Sequence, residues 1–237
     1  MQLFYTPAIT GTEYTLPEEE SRHCIRVLRL TANDPLLLVD GKGNLYHCRI
    51  THPDPRACRV SCMEKTEHYG QHPYSLHIAI APTKNMDRFE WFLEKCTEIG
   101  IDEITPLLCH HSERKTIHPE RLEKIMISAM KQSVKAYLPV LHPLIPSETF
   151  ILQHTNSLKC IAHCEEGAKK GIADIYAPGQ NATILIGPEG DFSPEEIGLA
   201  LKNNFLPVTL GSSRLRTETA GIVACHSFHF INESGVQ

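Results

Sequence analysis

Two short segments carry residues whose types and spacing suit chemistry on a bound ligand. The first, Thr183-Ile-Leu-Ile-Gly-Pro-Glu-Gly-Asp-Phe-Ser-Pro-Glu-Glu196, runs from an apolar strand through a two-glycine turn into a helix. The helix start is explicit: Ser193 can cap, Pro194 suits the first helical position, and Glu196 completes a capping box. The loop at 187–191 is therefore pinned at both ends. Ligands of open α/β sheets bind beyond the carboxyl ends of strands, where small residues let the backbone approach them. The second segment, Val208-Thr-Leu-Gly-Ser-Ser-Arg-Leu-Arg-Thr-Glu-Thr-Ala220, repeats the plan of strand, glycine turn and helix start, with Thr217 as the expected cap. One Gly-rich βα turn is more often geometry than function. A second with this much polar content predicts two strand ends facing one cleft.

Alternating elements must position these loops. Strands are expected at 76–81, 104–108, 159–163, 183–186 and 207–210. Between them Met86, Phe89, Leu93, Cys96 and Ile99 recur at helical spacing and stop at Gly100, and Leu122, Ile125, Ala129 and Val134 form a second stripe. Such alternation predicts a mostly parallel α/β sheet covered by helices. The first 70 residues differ, with strands expected at 3–6, 36–39, 45–51 and 57–63. Asp40-Gly41-Lys42-Gly43 supplies a hairpin turn between two of them. One helix is expected from Pro17 to about Leu28, with Thr15 and Glu18 spaced as a capping box. The join at Tyr-Gly-Gln-His-Pro, residues 69–73, suggests a small domain at 1–71 and a larger one at 72–237.

Bulk composition excludes several classes. The 23 Lys and Arg against 28 Asp and Glu give a net charge of −5, so nucleic acid cannot be held by a global positive field and any contact must be local. Arg22, Arg26 and Arg29 would share a basic face if the first helix reaches that far; the alternative is a solvated face balanced by Glu18, Glu19 and Glu20. Nine cysteines, an odd number scattered singly, read as reduced thiols. With no apolar run approaching the ~20 residues that cross a bilayer and no signal-peptide pattern, a cytoplasmic protein is expected. His163-Cys-Glu165 matches half of a zinc-deaminase motif but lacks the Pro-Cys-x-x-Cys half, so no metal site is expected.

Ile186-Gly-Pro-Glu-Gly190 before a capped helix, then Leu210-Gly211 and Leu215-Arg-Thr-Glu-Thr-Ala220, resembles the paired signature of the 16S rRNA uridine-N3 methyltransferase family, a branch of the SPOUT superfamily. Cys24-Ile-Arg-Val-Leu-Arg-Leu30 resembles that family's PUA-like RNA-binding domain, and Arg88-Phe-Glu-Trp with Lys95-Cys-Thr-Glu-Ile-Gly resembles the first helix of its catalytic domain. The chain departs from the pattern in three places. Asp191 stands where the family usually has a second glycine, Ser212-Ser213 stand where it has Pro-Arg, with Arg214 one place after the family's arginine, and Val134-Lys135 replaces a Gly-Arg pair.

The resemblance implies an α/β SPOUT fold with a trefoil knot, a topology that periodicity would not predict, behind a β-rich PUA-like domain. It implies S-adenosylmethionine as cofactor, held by three loops through His163, Ile186, Gly187, Pro188, Gly190, Leu210, Gly211 and Leu215. N3 of uridine carries a proton at neutral pH, so transfer to it needs a base or a cation for the developing anion. Arg216 is the first choice as cation; Glu189 or Glu218 would accept the proton, or would order the loop through an Arg–carboxylate pair. Lys135 and Arg214, with Arg22, Arg26 and Arg29, are the expected RNA contacts. The implied partners are 16S rRNA within the 30S subunit and a second copy of the chain. The C-terminal helix, with Ile222, Val223, Phe228, Phe230 and Ile231 apolar on more than one side, fits an interface or equally a helix buried within its own domain. Two alternatives stand beside this reading: an RNA-binding assembly factor without catalysis, and a SPOUT methyltransferase acting on another RNA position.

Overall fold

The computed structural model describes residues 3–153 and 158–234. The chain divides into two compact units, Met1–Gln71 with Ile127–Leu138, and His72–Met126 with Pro139–Gln237.

In the first unit, strands β1 (Leu3–Tyr5), β2 (Glu13–Thr15), β3 (Pro35–Val39), β4 (Leu45–His52) and β5 (Arg59–Thr66) form one sheet in the order β1-β3-β4-β5-β2. The hairpin between β3 and β4 closes as its residues require. The Asp40 carboxylate accepts the N–H groups of Lys42 and Asn44 at 2.8 and 3.1 Å, while Gly41 and Gly43 take φ of 76° and 95°. Phe4, Leu16, Cys24, Leu36, Leu38, Ile50 and Val60 fill the core. The three-residue edge strand β2 was not anticipated, being too short for alternation to register.

Helix α1 (Glu18–Arg22) continues as one π turn, His23–Val27. Two expectations fail here. Thr15 lies in β2 and caps nothing; the turn is held instead by Ser21, which donates to Leu16 O at 3.0 Å and accepts Cys58 N–H at 3.0 Å. The helix also ends before Arg29, whose φ of 58° is left-handed, so Arg22, Arg26 and Arg29 do not line one helical face.

In the second unit the elements are β6 (Leu76–Ile80), α2 (Met86–Ile99), β7 (Glu103–Leu108), the first half of α3 (Pro119–Gln132), β8 (Val140–Leu141), β9 (Ile145–Pro146), α4 (Ser147–Gln153), β10 (Leu158–Ala162), β11 (Lys170–Gly171), β12 (Ala182–Ile186), α5 (Pro194–Lys202), β13 (Leu206–Thr209) and α6 (Thr217–Ser234). The sheet order is β11-β13-β10-β12-β6-β7-β8, and every pairing is parallel. Strands β6 and β12 are buried along their whole length, which is why they read as mostly apolar runs, interrupted only by His77 and Thr183. The expected parallel sheet with helical cover, and the smaller β-rich unit before it, are borne out.

Helix α2 starts at Asn85, whose side chain accepts Asp87 N–H at 3.0 Å, and stops at Gly100 with φ 124°. Against it, α6 presents Gly221, where an added Cβ would lie 2.5 Å from the Phe92 ring, so the two helices pack at glycine distance. Helix α3 stops at Gln132, leaving Val134 exposed outside the apolar stripe it was expected to extend. Among the described residues no helix is long and apolar enough to cross a membrane.

Candidate functional site

The parallel register aligns three strand ends. Ala162 of β10 lies beside Ile186 of β12 on one side and Val208 of β13 on the other, so the loops leaving these strands emerge together at the carboxyl edge. They enclose a cavity of about 900 Å³, walled by 162–165 with Lys169, by 186–189 with Asp191, and by 208–217 with Ala220.

Each loop is fixed by its own chemistry. In the middle loop the capping box forms as read: Ser193 Oγ accepts Glu196 N–H at 3.2 Å and Glu196 Oε2 accepts Ser193 N–H at 2.8 Å. Glu196 is buried, and its other oxygen accepts His110 N–H at 3.1 Å and the Ser147 hydroxyl, so this carboxylate also ties β7 and α4 to the loop. Gly187 packs tightly, since a Cβ there would meet the ring and the backbone nitrogen of Phe192 at 3.1 Å.

Side chains then join the loops to one another. Thr217, expected as a cap, is instead the first residue of α6 and donates its hydroxyl to Gly187 O at 3.1 Å. Asp191 links the other pair: its Oδ2 accepts Cys164 N–H at 2.6 Å and its Oδ1 accepts Phe192 N–H at 2.8 Å. Asp191 has φ 64°, the left-handed conformation that the family's usual glycine would adopt freely and that aspartate tolerates better than most residues. The departure is therefore accommodated, with an inter-loop bond that glycine cannot make. Lys169 clasps the first loop by donating to His163 O at 2.8 Å and Glu165 O at 2.5 Å. Thr209 closes the third around Gly211, its hydroxyl 2.8 Å from Gly211 O, with Gly211 at φ 123°.

Of the residues expected to hold a cofactor, His163, Ile186, Gly187, Pro188, Leu210, Gly211 and Leu215 lie in the wall. Gly190 does not; it turns toward His111, where a Cβ would approach the His111 Cβ to 3.0 Å. His163 is the most informative. Both ring nitrogens are buried with no hydrogen-bond partner among the described residues. Burial, then the nearby Lys169 cation, holds its pKa below the ordinary histidine value, leaving a neutral imidazole near pH 7 with one donor and one acceptor to offer.

The charged residues separate by position. Arg214 and Arg216 are exposed in the wall, as is Glu189, which accepts Lys84 N–H at 2.9 Å. Glu218 lies outside it, buried, with Oε1 3.9 Å from Arg88 Nε and Oε2 without a partner among the described residues. In the other unit Arg22 is exposed and paired with Glu18 at 2.6 Å, Arg26 and Arg29 are exposed, and Lys135 is half-buried. Sequence reasoning missed Lys169 and the roles of Asp191 and Thr209. No motif marks Lys169, whereas an aspartate at a glycine position was a usable signal.

A family described as an RNA methyltransferase domain matches residues 70–229, and one described as an RNA methyltransferase PUA domain matches residues 16–61. The ribosomal RNA small subunit methyltransferase E of Rickettsia conorii is 31% identical over 90% of this chain and 88% of its own. A probable rRNA-methyltransferase from Porphyromonas gingivalis is 46% identical in its crystal structure, with a TM-score of 0.93 and 99% of each chain covered. The crystal structure of ribosomal RNA small subunit methyltransferase E from Neisseria gonorrhoeae, bound to S-adenosyl methionine, is 27% identical with a TM-score of 0.85 over 98% of each chain. Fold, three-loop site and matches together define an RNA methyltransferase that carries a PUA domain. More narrowly, the chain belongs to the ribosomal RNA small subunit methyltransferase E family, as the two loop signatures implied.

Proposed function

We propose that the protein transfers a methyl group from S-adenosylmethionine to N3 of a uridine in 16S rRNA. The observation that carries this reading is the cavity at the carboxyl edge. Its volume of about 900 Å³ suits a nucleoside-sized ligand, its wall includes the glycine turn at Gly187, and it contains the unpartnered, neutral His163. These features fit the cofactor, which supplies when bound an electrophilic methyl on a sulfonium. The backbone at Ile186, Gly187, Pro188, Leu210, Gly211 and Leu215 would hold the adenosine and methionine parts, and His163 would complete its hydrogen bonds there.

The protein's own contribution is alignment and charge. An in-line displacement gains most from positioning, which the Asp191–Cys164 and Thr217–Gly187 links enforce by fixing the loops against one another. Arg216, exposed in the wall, is placed to stabilise the uracil anion as N3 loses its proton. Glu189, also in the wall, is the better placed of the two carboxylates to accept that proton. For Glu218 the geometry favours the ordering role, since it faces Arg88 on α2 rather than the cavity. Arg22, Arg26, Arg29, Lys135 and Arg214 are proposed to contact RNA phosphates, with residues 1–71 as the RNA-binding domain and 72–237 as the catalytic one. The 30S subunit as substrate, a homodimer and a cytoplasmic location complete the proposal. The 57% exposed Phe230 on α6 supports the dimer.

The test separates binding from chemistry. With Arg216→Ala, S-adenosylmethionine affinity should stay within a few-fold while the single-turnover methylation rate falls by about 10²-fold or more, as for loss of one charge-stabilising group. A variant that methylates at the wild-type rate would refute the assigned role.

A further inference from the structure

At the opposite edge of the same sheet, where the strands begin, three potential ligand side chains converge. His77 on β6 is the register partner of Glu103 on β7. His142 follows β8 and is fixed by its own N–H to Ile104 O at 2.8 Å. One ligand atom from each of the three lies within 4.8 Å of the others. We propose that His77, Glu103 and His142 form a binding site for one divalent transition-metal ion, with zinc the best chemical match.

The geometry is close to what such an ion needs. His142 Nε2 is 2.7 Å and His77 Nδ1 3.9 Å from Glu103 Oε2, which brackets the roughly 3.4 Å between neighbouring ligand atoms implied by tetrahedral bonds of about 2.1 Å. The outer shell is also set. His77 Nε2 meets the Thr105 hydroxyl at 2.8 Å, so Nδ1 is the nitrogen turned toward Glu103, and the Phe150 ring packs edge-on against the imidazole with centroids 5.2 Å apart. His77 is 5% exposed while the Glu103 and His142 side chains are each 36% exposed, so the site has a dry back wall and an open front where water can be a fourth ligand. Two imidazoles and one carboxylate favour a borderline ion such as zinc over magnesium or calcium, which prefer oxygen ligands. The site lies toward the starts of β6 and β7, away from the cavity, and so would fasten them to the segment that follows β8 without entering methyl transfer. The three residues are far apart in sequence and form no spacing motif, so nothing in the sequence pattern marks a metal site here.

The experiment uses untagged full-length protein stripped with chelator and titrated with Zn²⁺ and with Co²⁺ as a spectroscopic stand-in. One equivalent should bind per chain, with visible Co²⁺ bands of low coordination number and a raised melting temperature. Thr105→Val should weaken binding by about 10–100-fold through the outer shell, and His142→Ala should weaken it further. Circular dichroism and S-adenosylmethionine binding should be unchanged in both variants, since neither residue touches the cavity. Absence of saturable binding in the wild type would overturn the proposal. Equal binding by His142→Ala would overturn it too, placing the ion elsewhere, for example at a thiol.

Discussion

Val134 should be a point of stored backbone strain that one substitution releases. It follows the last turn of α3 with φ 55°, and the surrounding bonds require that conformation: Val134 N–H reaches Lys131 O at 3.3 Å and Lys135 N–H reaches Met130 O at 3.0 Å, the paired closure of a helix end. A side chain there costs about 1–2 kcal/mol, with β-branching at the upper end. Glycine removes that cost but gives up packing, and because Val134 is 42% exposed only about 1 kcal/mol of burial is at stake. Glycine's unfolded-state entropy subtracts roughly 0.5–1 kcal/mol more. Val134→Gly should therefore be near neutral to slightly stabilising. Val134→Ala loses the same packing yet keeps most of the strain, so the contrast between the two variants isolates the backbone term. Glycine should exceed alanine by roughly 0.5–1 kcal/mol once its entropy is subtracted, or roughly 1–4 °C in melting temperature for a chain of this size. Urea unfolding of both variants measures this, and an unchanged slope confirms that the same surface is exposed. An alanine variant as stable as the glycine one would refute the strain argument.

Three other perturbations probe the site and its support. Gly221→Ala should destabilise by about 1–3 kcal/mol, because the new methyl collides with Phe92, and calorimetry should show it as a lowered melting temperature. Asp191→Ala removes a charge-assisted bond to Cys164 while keeping a side chain at positive φ, and should weaken S-adenosylmethionine binding about tenfold; Asp191→Asn should retain most of it, and calorimetric titration distinguishes the two. His163 has its folded pKa depressed, so its contribution to stability is present above the unfolded value near 6.5 and is lost as pH falls through the folded value. His163→Asn should flatten that acid-side decline in melts recorded across the range, and an unchanged slope would count against the burial account.

What was legible in the sequence follows from local chemistry. Ser193, Pro194 and Glu196 specify their helix start without outside help, and the strands at 76–80 and 182–186 are mostly apolar, with His77 and Thr183 the exceptions, because both faces are covered. Boundaries failed where tertiary contacts decide. Thr15 loses its capping role to Ser21, whose hydroxyl bonds across to Cys58, and Thr217 spends its hydroxyl on a neighbouring loop rather than on its own helix. The cavity could be located because two glycine turns follow two strands. Its third wall carries no such pattern: His163 came only from family resemblance, as did the expected threading of the loops, and Lys169 was not foreseen at all. Glu218 shows the limit of motif transfer: it sits within a signature, yet its carboxylate faces Arg88.

The most direct test of the central claim is chemical identification of the product. Purified protein is incubated with labelled S-adenosylmethionine and 30S subunits from cells lacking this activity, and the digested rRNA is analysed by mass spectrometry. The account predicts one labelled nucleoside, 3-methyluridine, strongly reduced with Arg216→Ala. A methyl group on a ribose, a guanine or any other position would contradict it, as would cofactor binding with no transfer at all.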